Sequence, residues 1–236
     1  MNQMSIKTLH FAEKTPDCIL VLQGMAPDPD IFRFFSNTSL IATDGAANEI
    51  LQIGRIPDII IGDLDSFDAT LLPPNSHTKI LCIPNQDKND FEKALEYCLS
   101  QHFEHIVIYG IHGGDFEHSL NNVSVLWKYV DSFTNITILD SLSRIAIPVS
   151  SDFSSHAFLQ DEIISLIPFP HARVTTQGLE WELQNEVLEL SVREGARNRC
   201  LSNSLHISVH EGRFLFFCDS RLPALPLFTS YPSSFL

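Results

Sequence analysis

The stretch Ile59-Ile60-Ile61-Gly62-Asp63-Leu64-Asp65-Ser66 decides the fold. A short β-branched run closed by glycine and then by acids reads as a buried strand that ends at a polar site. If strand alternation continues past Gly62, Asp63 and Asp65 project together while Leu64 turns away. Two carboxylates about 4 Å apart repel by about 4 kcal/mol at an effective dielectric near 20, so the pair needs a counter-charge. Mg²⁺ suits it, taking oxygen from one or two carboxylates and leaving positions for water and substrate phosphates. The rival reading is a solvated acidic loop at a strand end.

Outward from this stretch, short apolar runs at residues 18–22, 40–42, 58–61, 80–83, 105–109 and 136–139 alternate with amphipathic segments. That alternation predicts α/β architecture, a parallel sheet with helical crossovers, over residues 1–141. Helical spacing is clearest at Phe91, Ala94, Leu95, Cys98 and Leu99, and at Leu120, Val123, Leu126, Trp127 and Val130. Asn89 followed by Glu92 forms a capping box in its Asx form and puts Asp90 at the first helical position, where it also complements the helix dipole. From residue 142 to 236 the texture changes to short β-rich runs punctuated by Pro148, Pro168 and Pro170, which predicts an all-β second domain. Glu211-Gly212 between two apolar runs predicts a hairpin turn. Leu179, Trp181 and Leu183 alternating with Glu180 and Glu182 predict a half-buried strand, with Trp181 either in its core or offered to a ligand.

The 236 residues carry 29 acidic and 15 basic side chains, a formal charge of -14. Such a balance opposes general binding to nucleic acid or anionic membranes. An anionic substrate then needs a metal or local Lys and Arg. Cys18, Cys82, Cys98, Cys200 and Cys218 are odd in number and form no C-x-x-C pair, as in a reduced cytosolic protein. The N-terminus shows no basic flank before an apolar core, and no apolar run reaches membrane-spanning length. The expectation is a soluble cytoplasmic protein. The histidines, His112, His118, His206 and His210 among them, show no spacing of a zinc site.

Ligands of open parallel sheets bind beyond the carboxyl ends of the strands. Four polar segments fall at such ends: Thr43-Asp44-Gly45, Gly62 to Ser66, Asn85 to Asp90, and Gly110 to His118. Gly110, Gly113 and Gly114 suit close backbone approach to a ligand or a tight strand-to-helix turn, and the helix starting near Glu117 offers free amides to phosphate.

Asp44-Gly45, Gly62 to Ser66, Gln86 to Leu95, Gly113 to His118, Gly178 to Leu183 and Ser202-Asn203 stand in the order of the segments that mark the thiamine pyrophosphokinase family, which this chain resembles. The resemblance implies a Rossmann-like domain followed by a β-sandwich, a homodimer with active sites between subunits, and Mg²⁺-dependent transfer of a diphosphoryl group from ATP to thiamine with release of AMP. By that likeness Asp63, Asp65 and Asp90 hold the metal, and Asp44, Gln86, Lys93, Glu117 and His118 bind substrate. Trp181, Ser202 and Asn203 would shape the thiamine pocket. Asp115 stands where the family has Arg, Glu117 where it has Asp, and Asn89 where it has Thr. Asp115 reverses a charge beside the supposed polyphosphate site; Arg193, Arg197 and Arg199 either supply a substitute cation or form a solvated basic loop. Two other readings stay open: a different heterocyclic alcohol as acceptor, such as a hydroxymethylpterin, and a binding protein without catalysis.

Overall fold

The computed structural model describes residues 7–26 and 28–230. Its strands in chain order are β1 (Lys7–Ala12), β2 (Cys18–Val21), β3 (Ser39–Thr43), β4 (Ile59–Gly62), β5 (Lys79–Cys82), β6 (His105–Tyr109), β7 (Asn135–Leu139), β8 (Arg144–Val149), β9 (Phe153–Ser155), β10 (Ile163–Gln177), β11 (Glu186–Glu189), β12 (Gly195–Arg199), β13 (Leu205–Asp219) and β14 (Leu225–Ser230). The α-helices are α1 (Ile31–Phe34), α2 (Asp44–Gln52), α3 (Asp90–Ser100) and α4 (Phe116–Tyr129). Among the described residues no helix is long and apolar enough to cross a membrane.

Two compact units emerge, Thr15–Leu142 and the described parts of Met1–Lys14 with Ser143–Leu236. The sequence reading put the first residues with the α/β domain, yet β1 pairs antiparallel with β14 and parallel with β9, both in the β-rich unit. A strand's partner is a non-local choice that its own pattern does not record. Residues 1–6 and 231–236 of the two expected domains lie outside the described residues.

In the α/β unit the six predicted strands form a parallel sheet in the order β5-β4-β3-β2-β6-β7. Strands β2 and β4 are buried throughout, which is why they read as unbroken apolar runs. The chain leaves β2 toward β3 on one side and returns to β6 on the other, so the strand order reverses between β2 and β6. Helix α3 starts as expected: Asn89 caps it, accepting the Glu92 amide at 2.9 Å. The reciprocal bond of a capping box is replaced, because the Glu92 carboxylate turns to Lys128 at 3.2 Å and Tyr129 Oη at 3.1 Å on α4. Val125, Leu126 and Trp127 of α4 are buried, but Leu120, expected on the same face, is 56% exposed. The packed stripe covers only the later turns of the helix.

The β-rich unit is organised by two long strands, β10 and β13, which pair antiparallel through two register shifts. Here the structure corrects the predicted hairpin. Glu211-Gly212 lies inside β13, and the chain continues without reversing. Gly212 sits at φ +75°, opposite Ala172, and a Cβ there would lie 2.2 Å from the His171 carbonyl oxygen. This glycine makes a bulge, and Glu-Gly at a bulge looks like Glu-Gly at a turn. The predicted strand around Trp181 is corrected as well. Residues 178–185 form a loop with one isolated bridge, Leu179 to Cys200. Leu179 and Leu183 are buried, while Trp181 is 57% exposed and shares no core with them.

Candidate active site

Strands β3 and β4 end side by side, and their first following residues are acids. Asp44 opens α2 behind Thr43 and is 3% exposed. Asp63 and Asp65 follow β4, but not by strand alternation. The strand stops at Gly62, and Leu64 turns the chain with φ +69°, an uncommon conformation for a residue with a side chain. The sequence expectation that both acids share one face holds in outcome, through a tight turn in place of an extended strand. Carboxylate oxygens of Asp44, Asp63 and Asp65 lie within 4.8 Å of one another.

Asp90, expected as the third metal carboxylate, stands at the first position of α3. A Cβ on Gly62 would come 2.7 Å from Asp44 Cβ and 3.3 Å from Asp90 Cγ, so the glycine lets both acids close on the strand end. Asp90 accepts a 2.9 Å hydrogen bond from Lys93, whose ammonium side chain is only 3% exposed. Asp44, expected among substrate-binding residues, is therefore the acid that completes the three-carboxylate cluster.

Two neighbouring acids are pushed in opposite directions. Burial first, then the charges of Asp90 and Asp65 and the contact with Asp63, raise Asp44, against the Ser66 amide that lowers it. Asp63 is lowered, chiefly by the 2.7 Å hydrogen bond from Gln86 and then by the Asp65 amide. One acid is thus held toward its neutral form beside one held ionised. Asp44 Oδ1 is buried and has no hydrogen-bond partner among the described residues. A buried carboxylate oxygen without a donor, in a group of three acids, fits a hard cation, and an all-oxygen donor set suits Mg²⁺.

These groups line a cleft of about 300 Å³. Its wall also includes Gln23, Lys88, Asn89, His118, Asn121 and Asn122. It spans the β2/β6 reversal, receiving residues that follow β2 on one side and residues of α4, after β6, on the other. The α3 and α4 walls are tied together: Asn89 Nδ2 donates to Asn122 Oδ1 at 3.2 Å, and Asn122 Nδ2 donates to the Ile111 carbonyl at 3.1 Å. Lys88 reaches Glu96, which also accepts from Tyr129 Oη. Lys88 and Lys93 are the lysines in the wall.

Of the predicted site residues, Asp44, Asp63, Asp65, Gln86, Asp90, Lys93 and His118 come together in this cleft. Glu117 is exposed in the first turn of α4 and is not part of the lining; Asp115 is the N-cap of α4 and lies outside it too. Trp181, Ser202 and Asn203 belong to the β-rich unit and are exposed. Buried Asn198 pins Trp181 from both sides, accepting its amide at 3.1 Å and donating to its carbonyl at 2.7 Å. Ser202 Oγ accepts the Ser204 amide at 3.2 Å in a local turn. Arg193 pairs with Glu186, and Arg199 lies 3.5 Å from Glu180, as in a solvated charged surface. Sequence reasoning passed over Asn121, Asn122 and Gln23, neutral amides whose placement depends on which helix faces the cleft.

Comparison with known proteins agrees with this geometry. The family model for the thiamin pyrophosphokinase catalytic domain matches residues 33–138, and that for its vitamin B1 binding domain matches residues 147–214. Thiamin pyrophosphokinase 1 of Caenorhabditis elegans is 34% identical over 201 residues, covering 76% of this chain and 82% of its own. Thiamine pyrophosphokinase of Bacillus subtilis (strain 168) is 26% identical over 183 residues, covering 75% and 83%. Among solved structures, thiamine pyrophosphokinase from Bacillus subtilis superposes with a TM-score of 0.72 at 23% identity, over 87% of this chain and 100% of that one. Thiamin pyrophosphokinase from Candida albicans does so with a TM-score of 0.70 at 13% identity, over 92% and 100%. These likenesses carry the fold, an α/β unit with a β-sandwich unit. Two family models that together span most of the sequence, with a relative matched over most of its length, place this chain in the thiamin pyrophosphokinase family.

Proposed function

We propose that this protein is a thiamine diphosphokinase that uses ATP and Mg²⁺, moving a diphosphoryl group to the hydroxyethyl oxygen of thiamine and releasing AMP. The observation that carries this reading is the meeting of Asp44, Asp63 and Asp65, with Asp90 beside them, in a cleft at the strand ends of a chain of this family. In the proposed reaction the thiamine oxygen bonds to the β-phosphorus, the bond from that phosphorus to the α-bridging oxygen breaks, and AMP departs with that oxygen. The hydroxyl proton is lost to solvent or a nearby base. Such transfer asks the protein mainly for alignment and for neutralised oxygens.

When bound, Mg²⁺ would screen and align the phosphate oxygens. Asp44, Asp63 and Asp65 would hold it, with Asp90 beside them at the strand end. Lys93 orients Asp90, and the Gln86 hydrogen bond favours the ionised form of Asp63. Lys88, which would have to leave Glu96, and the first-turn amides of α4 are the candidates to meet phosphate. Trp181, Ser202 and Asn203 would recognise thiamine; the exposed indole offers its π face to a cationic ring. A homodimer in the cytoplasm belongs to the same proposal, the latter supported by five cysteines that are free thiols.

The decisive experiment is incubation of the protein with thiamine, ATP and Mg²⁺, followed by mass spectrometry. Thiamine diphosphate and AMP in equal amounts are expected. AMP release with a hydroxymethylpterin and not with thiamine would reassign the acceptor, and tight thiamine binding without turnover would leave a binding protein.

A further inference from the structure

Helix α2 presents a second polar residue to the acidic turn. Asn48 follows Asp44 by one helical turn, so the two side chains stand on the same face. Asn48 Nδ2 donates to the Ser66 carbonyl at 2.7 Å, and Asn48 Oδ1 accepts the Asp68 amide at 2.9 Å. Asp44 Oδ2 takes the Ser66 amide at 3.3 Å. Two side chains of one helix thus hold three backbone groups of residues 66 and 68.

Gln86 ties the Asp63 side chain at 2.7 Å and the Ser66 hydroxyl reaches Asp65 at 2.9 Å, but the backbone at residues 66 and 68 is held by α2. Residues 63–68 lie between the end of β4 and a short 3₁₀ turn at Ala69–Leu71, outside any strand or helix. Within it Leu64 is left-handed, and the internal bond from the Asp65 amide to Asp63 Oδ1 is long, at 3.4 Å. Like charges on Asp63 and Asp65 push it open.

We propose that Asn48 is a positioning residue for the metal: it fixes the turn 63–68 on α2, so that Asp63 and Asp65 meet Asp44 within reach of one ion. This rests on reading the acidic cluster as the Mg²⁺ site. Asn48 itself is not part of the cleft lining and offers no carboxylate, so it acts through the two aspartates.

The test is Mn²⁺ binding to the full chain without nucleotide, followed by electron paramagnetic resonance, alongside the Mg²⁺ dependence of turnover. Asn48→Ala should weaken Mn²⁺ binding roughly 10-fold or more, as loss of outer-sphere partners does elsewhere. It should raise the half-saturating Mg²⁺ concentration similarly while leaving kcat at saturating Mg²⁺ nearly unchanged. Asn48→Ser, too short to span both groups, gives the same reading should the alanine variant lose its fold. Asp68→Ala is the control: it removes the cap that accepts from Thr70 at 2.9 Å and 2.6 Å but leaves the Asn48 bonds, so Mn²⁺ affinity should stay. A folded Asn48→Ala protein with wild-type Mn²⁺ affinity overturns the role of Asn48, as does an equal loss in Asp68→Ala. Wild-type protein that binds no Mn²⁺ overturns the metal site itself and this inference with it.

Discussion

Asp44 in the α/β unit and Glu162 in the β-rich unit are both deeply buried carboxylates, and the two are treated in opposite ways. In the β-rich unit Glu162 is 4% exposed and fully served: Arg221 reaches it at 2.6 Å, and the Leu159 and Asp219 amides donate at 3.0 Å each. Arg221 is itself packed 4.2 Å from the Phe11 ring centroid. In the α/β unit Asp44 is 3% exposed, faces other acids, and leaves Oδ1 without a donor. The first arrangement closes a core; the second is one that the proposed cation would complete. Burial alone says nothing about function, and the satisfaction of the buried group does.

The contrast is sharpest if each carboxylate is removed in turn. Glu162→Ala should unfold the protein most readily, by about 3–5 kcal/mol, because it strands a half-buried guanidinium; denaturant titration checks this. Asp63→Asn or Asp65→Asn should leave the melting temperature close to wild type and lower kcat roughly 10²–10³-fold or more, the scale of losing one preorganised charge contact. Near-normal turnover in either would break the comparison. Asn89→Ala removes the α3 cap beside Asp90 and should cost about 1 kcal/mol, with a modest rise in KM for ATP.

The smallest effect carries the opposite sign. The Asp44 carboxyl titrates above its ordinary range in the fold, so the native metal-free protein holds this proton better than the unfolded chain does. Its stability contribution then falls as pH rises from the ordinary carboxylate range through the raised one. Asp44→Asn should therefore stabilise the metal-free protein at neutral pH by on the order of 0.5 kcal/mol, and flatten that part of the pH profile. Added Mg²⁺ should stabilise the wild type and not the variant. Thermal melts with and without Mg²⁺ across pH 4–7, a window set by the usual carboxylate range, read both.

The α/β unit was legible because its elements announce themselves locally. Strands β2 and β4 are buried throughout, so residues 59–61 are simply apolar, and Asn89 with Glu92 marks a helix start in four residues. The order of the family-like segments also placed the acids at the strand ends. The β-rich unit was less legible: Glu211-Gly212 could be a turn or a bulge, and β1 chose a partner more than two hundred residues away, β14. Leu179, Trp181 and Leu183 alternate like a strand, but only the first and third are buried.

From the residues alone came the parallel sheet, the acids after β4, the capped start of α3, and the family, since each of these rests on short-range pattern or chemistry. Tertiary structure alone decided that Asp44 completes the acidic cluster, that Leu64 turns the chain, that Asn48 clamps that turn, and that Gly212 bends a strand without reversing it. These depend on which distant groups come within hydrogen-bonding reach, and a linear pattern does not contain that distance.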